Sequence, residues 1–208
     1  MPNDQTQNAR TVPVAAQLFL LLLWITGAPA ITAATEEPKY TLLETLEDVE
    51  IRRYEPTIQA YTSMNSGGFR NLAGYIFGGN SGSEEIAMTA PVATTVGNAS
   101  PEMAFTTPAT WSMETLPSPD DETVRLREMP AFTAAVIEFS GWASRGSYTK
   151  QLEKLSQQLQ QHGLSAVGEP ILNQYDPPWK PPFLRRNEVM IAIEWPVQQS
   201  SVATQPGS

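Results

Sequence analysis

The chain has 208 residues, no cysteine, a single histidine and a formal charge of -9 at pH 7. That length allows one domain with a sizeable core plus appendages, and the acidic balance argues against nucleic acid as a partner. Without cysteine there are no disulfides, thiolate metal sites or Cys nucleophile, and one His leaves no His-rich metal site and no His-dependent triad.

From Thr11 to Thr35 no residue is charged, and Leu18-Phe-Leu-Leu-Leu-Leu-Trp-Ile25 is a dense apolar run. Arg10 precedes it, and Ala28-Pro-Ala30 and Thr32-Ala-Ala34 offer small residues at cleavage-like spacing. Residues 1–34 therefore read as a signal peptide or, since the uncharged window reaches the roughly 20 residues of a bilayer span, as a retained anchor. Either way the rest is exported to a periplasm, lumen or extracellular space, and membrane contact is expected only through an uncleaved segment. Residues 35–39 continue as a linker, 40–195 as the domain, and 196–208 as a disordered tail.

Within the domain, Val49-Glu-Ile-Arg-Arg-Tyr-Glu-Pro56 alternates apolar and polar, turns at proline and continues as Thr57–Thr62. This predicts strands. Phe69, Leu72, Ala73 and Ile76 then recur at helical spacing, and Gly78-Gly79 ends that helix. Two strands follow, Ile86–Thr94 and Glu102–Thr107, the first interrupted by Pro91 and filled in the core by Met88. The pattern repeats at an offset of about 75 to 80 residues. Val124–Met129 turns at Pro130 and continues to Phe139, and Tyr148, Leu152, Leu155 and Leu159 form a second helical stripe. Ser147 is the expected N-cap of that helix and Gly163 its left-handed stop. Ile171–Tyr175 and Asn187–Trp195 close the chain as strands. The expected fold is α+β: two β-α-β-β halves whose strands form one curved antiparallel sheet or an open barrel, with both helices packed outside. A concave sheet of this kind suits a small apolar ligand.

Catalytic constellations are sparse. Glu84-Glu85 and Asp120-Asp121 are neighbours in loops and point apart, and Gly67-Gly68 and Gly78-Gly79 lack a phosphate-cradle context. Asn98-Ala-Ser100 is an isolated glycosylation sequon. Glu138 and Glu188 are the carboxylates an enzyme would use, on a tetrapyrrole or another apolar substrate; a non-enzymatic binding role fits the residue inventory better.

Two segments carry a family resemblance. Ile86-Ala-Met-Thr-Ala-Pro-Val92, preceded by Tyr75-Ile-Phe-Gly-Gly-Asn80, resembles the signature of the SOUL haem-binding family. The proline-rich Tyr175-Asp-Pro-Pro-Trp-Lys-Pro-Pro-Phe-Leu-Arg-Arg-Asn-Glu-Val189 resembles its closing motif. The similarity runs from about Tyr40 to Trp195, and the duplicated plan also resembles GyrI-like small-molecule-binding domains. Membership of the SOUL family implies an α+β fold, a distorted open β-barrel of two pseudo-symmetric β-α-β-β repeats with two flanking helices. It also implies non-covalent binding of haem or a related tetrapyrrole in a groove beside the first helix. There Phe69, Leu72, Ala73, Ile76 and Phe77 form an apolar face, and Arg70 is the one cation for propionates. His162 reads as a helix-terminal cap rather than an iron ligand, Met64 and Met88 are softer alternatives, and Arg185 and Arg186 are expected to pair with carboxylates. The reading is a monomeric tetrapyrrole carrier, buffer or scavenger without strong axial ligation. Its alternative is a GyrI-like module for another hydrophobic small molecule.

Overall fold

The computed structural model describes residues 35–96 and 101–196. The leader, the sequon and the tail beyond Pro196 lie outside them. Ten strands and two α-helices are described: β1 Tyr40–Leu46, β2 Val49–Tyr54, β3 Thr57–Ser63, α1 Phe69–Ile76, β4 Val92–Thr95, β5 Glu102–Thr106, β6 Arg125–Met129, β7 Phe132–Ser140, α2 Arg145–Gln161, β8 Ser165–Ala166, β9 Ile171–Gln174 and β10 Arg186–Glu194. The sheet is antiparallel and runs β1-β2-β7-β10-β9-β4-β5-β3-β6, with β8 pairing β10 off that path.

The duplication is visible in the pairing. Pro56 separates β2 from β3 and Pro130 separates β6 from β7, and at each proline the chain crosses from one half of the sheet to the other. Arg52 faces Ala134 in the β2–β7 ladder, and Ala60 faces Leu126 in the β3–β6 ladder. Proline cannot donate to a ladder, so each repeat changes partners where its N–H is missing. The curled α+β sheet with two flanking helices is the expected open barrel.

Period-two alternation sends side chains to two different environments. On the outer face Val49, Ile51, Ala135, Ile137, Val189 and Ile191 pack with Tyr148, Leu155 and Leu159 of α2. The other half repeats the plan, with Ala60 and Phe105 packed against Leu72, Tyr75 and Ile76 of α1. A smaller cluster of Tyr54, Ala134, Val136 and Met190 lies on the inner, concave face.

Two local expectations change, and two further strands appear. The strand expected from Ile86 starts only at Val92, because the N–H groups before Pro91 are used elsewhere: Ile86 donates to Ile76 O (2.9 Å) and Ala90 to Glu36 O (2.9 Å). α2 is capped by Ser144, not Ser147. Ser144 Oγ accepts from Ser147 N (3.2 Å) and Ser147 Oγ accepts from Ser144 N (3.0 Å), a reciprocal capping box. β1 was not anticipated, since Leu42 and Leu43 break the alternation, and it forms an edge strand bulged between Leu42 and Glu44. The two-residue β8 is too short to leave a periodic signal.

Candidate functional site

α1 is an eight-residue helix with no side-chain cap at its start, Gly68. Its end is built more firmly. Phe77 N donates to Ala73 O (3.0 Å) and Gly79 N to Gly74 O (2.9 Å), with Gly78 at φ +96. A Cβ at Gly79 would lie 2.7 Å from Gly74 O, so only glycine fits that return. The buried Asn80 fixes the next turn: its Nδ2 donates to Tyr75 O (3.0 Å) and Glu84 O (2.8 Å), and its Oδ1 accepts from Gly82 N (3.2 Å) and Glu84 N (3.1 Å). Tyr75 OH donates to Pro117 O (2.9 Å), and burial pushes its phenol up to about 12.

The six residues expected to bind divide into two sets. Leu72 and Ile76 are buried in the core, and Ala73 is half-buried. Phe69 (53% exposed), Phe77 (63% exposed) and Arg70 face solvent. Met88, expected in the core, is instead 50% exposed. It sits outside any strand and, with Phe105, lines a shallow cleft of about 10 Å³ against Phe69, Leu72, Ala73 and Ile76. The flank of α1 is therefore an apolar surface with a narrow seam rather than a deep slot. His162 lies on the other helix, as the exposed C-cap of α2, where its N–H donates to Gln158 O (3.1 Å). No group of three or more His, Cys, Asp or Glu able to hold a metal ion occurs among the described residues.

The concave face holds what sequence reasoning missed. Glu188 is 1% exposed and bonded on both oxygens, by Arg52 Nη1 (3.0 Å) and Tyr175 OH (2.6 Å). Arg52 also donates to Glu50 (2.7 Å) and Tyr54 OH (3.2 Å), and its guanidinium lies 4.5 Å over the Tyr40 ring. Burial opposes the charge of Arg52, but Glu188 and Tyr54 outweigh it and hold its pKa above the usual range. Burial, reinforced by Glu188, pushes Tyr175 well above an ordinary phenol, and burial raises Tyr54 to about 12. Both Glu188 oxygens are thus held by fixed partners, and Glu138, the other acid considered for catalysis, is exposed.

In the closing motif most polar groups are paired, although Arg186 Nε is buried with no hydrogen-bond partner among the described residues. Asp176 accepts from Lys180 (2.6 Å) and Arg186 N (2.7 Å), and Arg186 pairs with Glu37. Arg185 departs from expectation: it donates to the carbonyls of Lys180 (2.7 Å) and Pro178 and stacks 4.4 Å over Trp142. A loop with four prolines lacks N–H donors, and the guanidinium supplies them.

Beside this network is a cavity of about 300 Å³ on the concave face, walled by Tyr54, Ala93, Ala104, Phe132, Ile171 and Met190. It shares Pro38, Glu55, Thr57, Thr106, Met129 and Pro130 with a wider hollow of about 530 Å³.

Fold and site together define a duplicated α+β open barrel with an apolar flank on its first helix and a hollow concave face. The chain belongs to the SOUL heme-binding protein family, whose profile matches residues 35–192. Comparison with curated proteins gives no match. Among solved structures, the chain is similar to the C-terminal domain of EcmrR, with a TM-score of 0.53 and 12% identity over 74% of this chain and 98% of that one. EcmrR in its DNA complex gives a TM-score of 0.55 and 13% identity over 70% of this chain and 57% of that one. A structure described as a hydrolase from Listeria innocua gives 0.50 and 11% over 78% and 94%. At such identities the likeness is one of fold, and the DNA and the hydrolysis belong to those proteins.

Proposed function

We propose that the protein is an exported or membrane-anchored carrier, buffer or scavenger of haem or a related tetrapyrrole, bound non-covalently at the flank of α1. The observation that carries this reading is the solvent-facing apolar surface of Phe69, Phe77 and Met88 beside Arg70, in a chain of a haem-binding family. A tetrapyrrole needs an apolar surface for its ring and cations for its propionates. Phe69 and Met88 supply the first, with Ala73 and the edges of Leu72 and Ile76 in the seam between them, and Phe77 adds an exposed ring at the helix end. Arg70 supplies the second. His162 is occupied as the cap of the other helix, so binding rests on hydrophobic contact rather than strong axial coordination. The family background and the bonded state of Glu188 favour binding over catalysis.

Export is supported by the uncharged stretch from Thr11 to Thr35 with its run of leucines. Among the described residues no helix is long and apolar enough to cross a membrane. N-terminal mass analysis of the native protein checks this part of the reading: a start between Ala30 and Thr35 means cleavage, and an intact N-terminus means an anchor.

Haemin added to the purified protein is expected to shift and sharpen the Soret band, saturating near stoichiometry. Placing a carboxylate at Phe69 or Phe77 removes apolar contact and repels propionates, so Phe77→Asp should weaken binding by about tenfold or more. No Soret change, or titrations identical for the parent and for Phe69→Asp and Phe77→Asp, would remove the reading.

A further inference from the structure

The concave cavity and the seam beside α1 lie on opposite faces of the sheet: Ala93 and Ala104 line the first, their chain neighbours Val92 and Phe105 the second. Around the two joined hollows stand six carboxylates, Glu36, Glu37, Glu55, Glu102, Glu128 and Glu169, against two cations, Lys39 and Arg127. Arg127 is already engaged: it donates to Glu102 (2.9 Å) and Gln59 (3.1 Å) and lies 4.3 Å over the Tyr61 ring. Glu37 is taken by Arg186, and Glu36 accepts from Ala109 N (2.8 Å). Glu55, Glu128 and Glu169 make no ion pair among the described residues.

The interior between these acids is apolar and aromatic. Tyr54 and Phe132 stack with centroids 5.1 Å apart, and with Ile171 and Met190 they form its deeper wall. The volume of about 300 Å³ falls at the lower end of the range for small-molecule sites. A dianionic tetrapyrrole would meet uncompensated carboxylates here, whereas a cation gains from the same carboxylates and from the aromatic faces.

We propose that the concave cavity is a second ligand site, separate from the flank of α1, for an organic cation with an aromatic or aliphatic body. Its apolar part fills the space between Tyr54, Phe132 and Met190, and its charge sits toward Glu55 and Glu169 at the rim. Acids distributed around the mouth, rather than one fixed partner, suit a range of amines more than a single strictly oriented one.

The test titrates the full chain with acridine orange, a cationic aromatic dye, by fluorescence anisotropy. Anilinonaphthalene sulfonate serves as the anionic counterpart. The dye is expected to bind saturably and in preference to the sulfonate. Affinity should fall by about tenfold in Glu55→Gln/Glu169→Gln, two exposed positions with no role in packing. It should hold in Glu44→Gln/Glu153→Gln, which changes net charge equally away from the cavity. Ala93→Phe, which fills the cavity from a half-exposed strand position, should abolish dye binding while leaving haemin titration unchanged. The proposal is overturned by dye affinity indifferent to Glu55→Gln/Glu169→Gln, by equal losses in both charge-matched pairs, or by preference for the sulfonate. Because haemin is read separately, failure here leaves the α1 reading standing, and the converse also holds.

Discussion

The two helices occupy equivalent places in the two repeats and have diverged in opposite directions. α2 is 17 residues long, opens with a reciprocal Ser144–Ser147 capping box and buries Tyr148, Leu155 and Leu159. α1 is eight residues long, starts at an uncapped glycine and leaves Phe69 and Phe77 in solvent. The larger buried cluster lies in the half that carries α2, where the buried Arg52–Glu188 pair also sits, on the inner face. The contrast is between the helices themselves, since the closing loop of the other half also exposes Trp179 and Phe183. Under the proposed function, one copy of the duplicated fold would serve as scaffold and the other would present the binding face.

Four variations break or sharpen this contrast. The largest effect is expected from Arg52→Ala, which leaves Glu188 buried and uncompensated and should cost about 3–5 kcal/mol in urea unfolding. Replacing both partners, Arg52→Met with Glu188→Leu, should recover most of that loss, and haemin affinity of the folded protein should not change in either variant. If Arg52→Ala abolished haemin binding without loss of stability, the division of labour would be wrong.

Alkaline pH comes next. Tyr54 has a folded pKa of about 12 against 10.0 when unfolded, so its contribution is complete below pH 10 and is lost as pH rises toward 12. The unfolded state releases its proton first, and the loss amounts to about 2 kcal/mol across that window. Thermal melts should show it, and Tyr54→Phe should flatten it. Tyr75 and Tyr175, raised in the same direction, should also resist ionisation in absorbance titrations near pH 10 to 11.

Smaller again is Ser144→Ala, which removes one arm of the capping box and should cost about 1 kcal/mol. The corresponding change on the other helix is the least costly to the fold. Phe77→Asp, at an exposed position, should alter stability by less than about 0.5 kcal/mol while lowering haemin affinity. Equal and large stability losses at both helices would erase the contrast.

The alternation around Val49–Thr62 and Val124–Phe139, the stripes of both helices and the stops at Gly78 and Gly163 were all legible, because each is local and periodic. Ser147 misled because a capping box uses two serines reciprocally, and periodicity alone does not tell which is outside the helix. Met88 misled because Pro91 delays the strand, so the residue never reaches the pleat that would have buried it. The Arg52–Glu188 pair joins residues 136 positions apart, and nothing in either local sequence announces its partner. The concave cavity was foreseeable as a shape, since curled sheets leave one. Its acidic rim was not, because the segment before β1, the β2–β3 turn, β5, β6 and the loop before β9 each contribute only one or two of its carboxylates. Phe69 and Phe77 show the same limit on a small scale: helical spacing puts them beside Leu72 and Ile76, and only packing separates core from surface.

The claim that binding resides on the first helix is tested most directly by amide chemical-shift mapping of the labelled protein with iron-free protoporphyrin. The account predicts perturbations clustered on residues 69–77 and around Met88, with 145–161 of α2 unmoved. Shifts confined to α2 or to the concave lining, or no shifts at all, would contradict it.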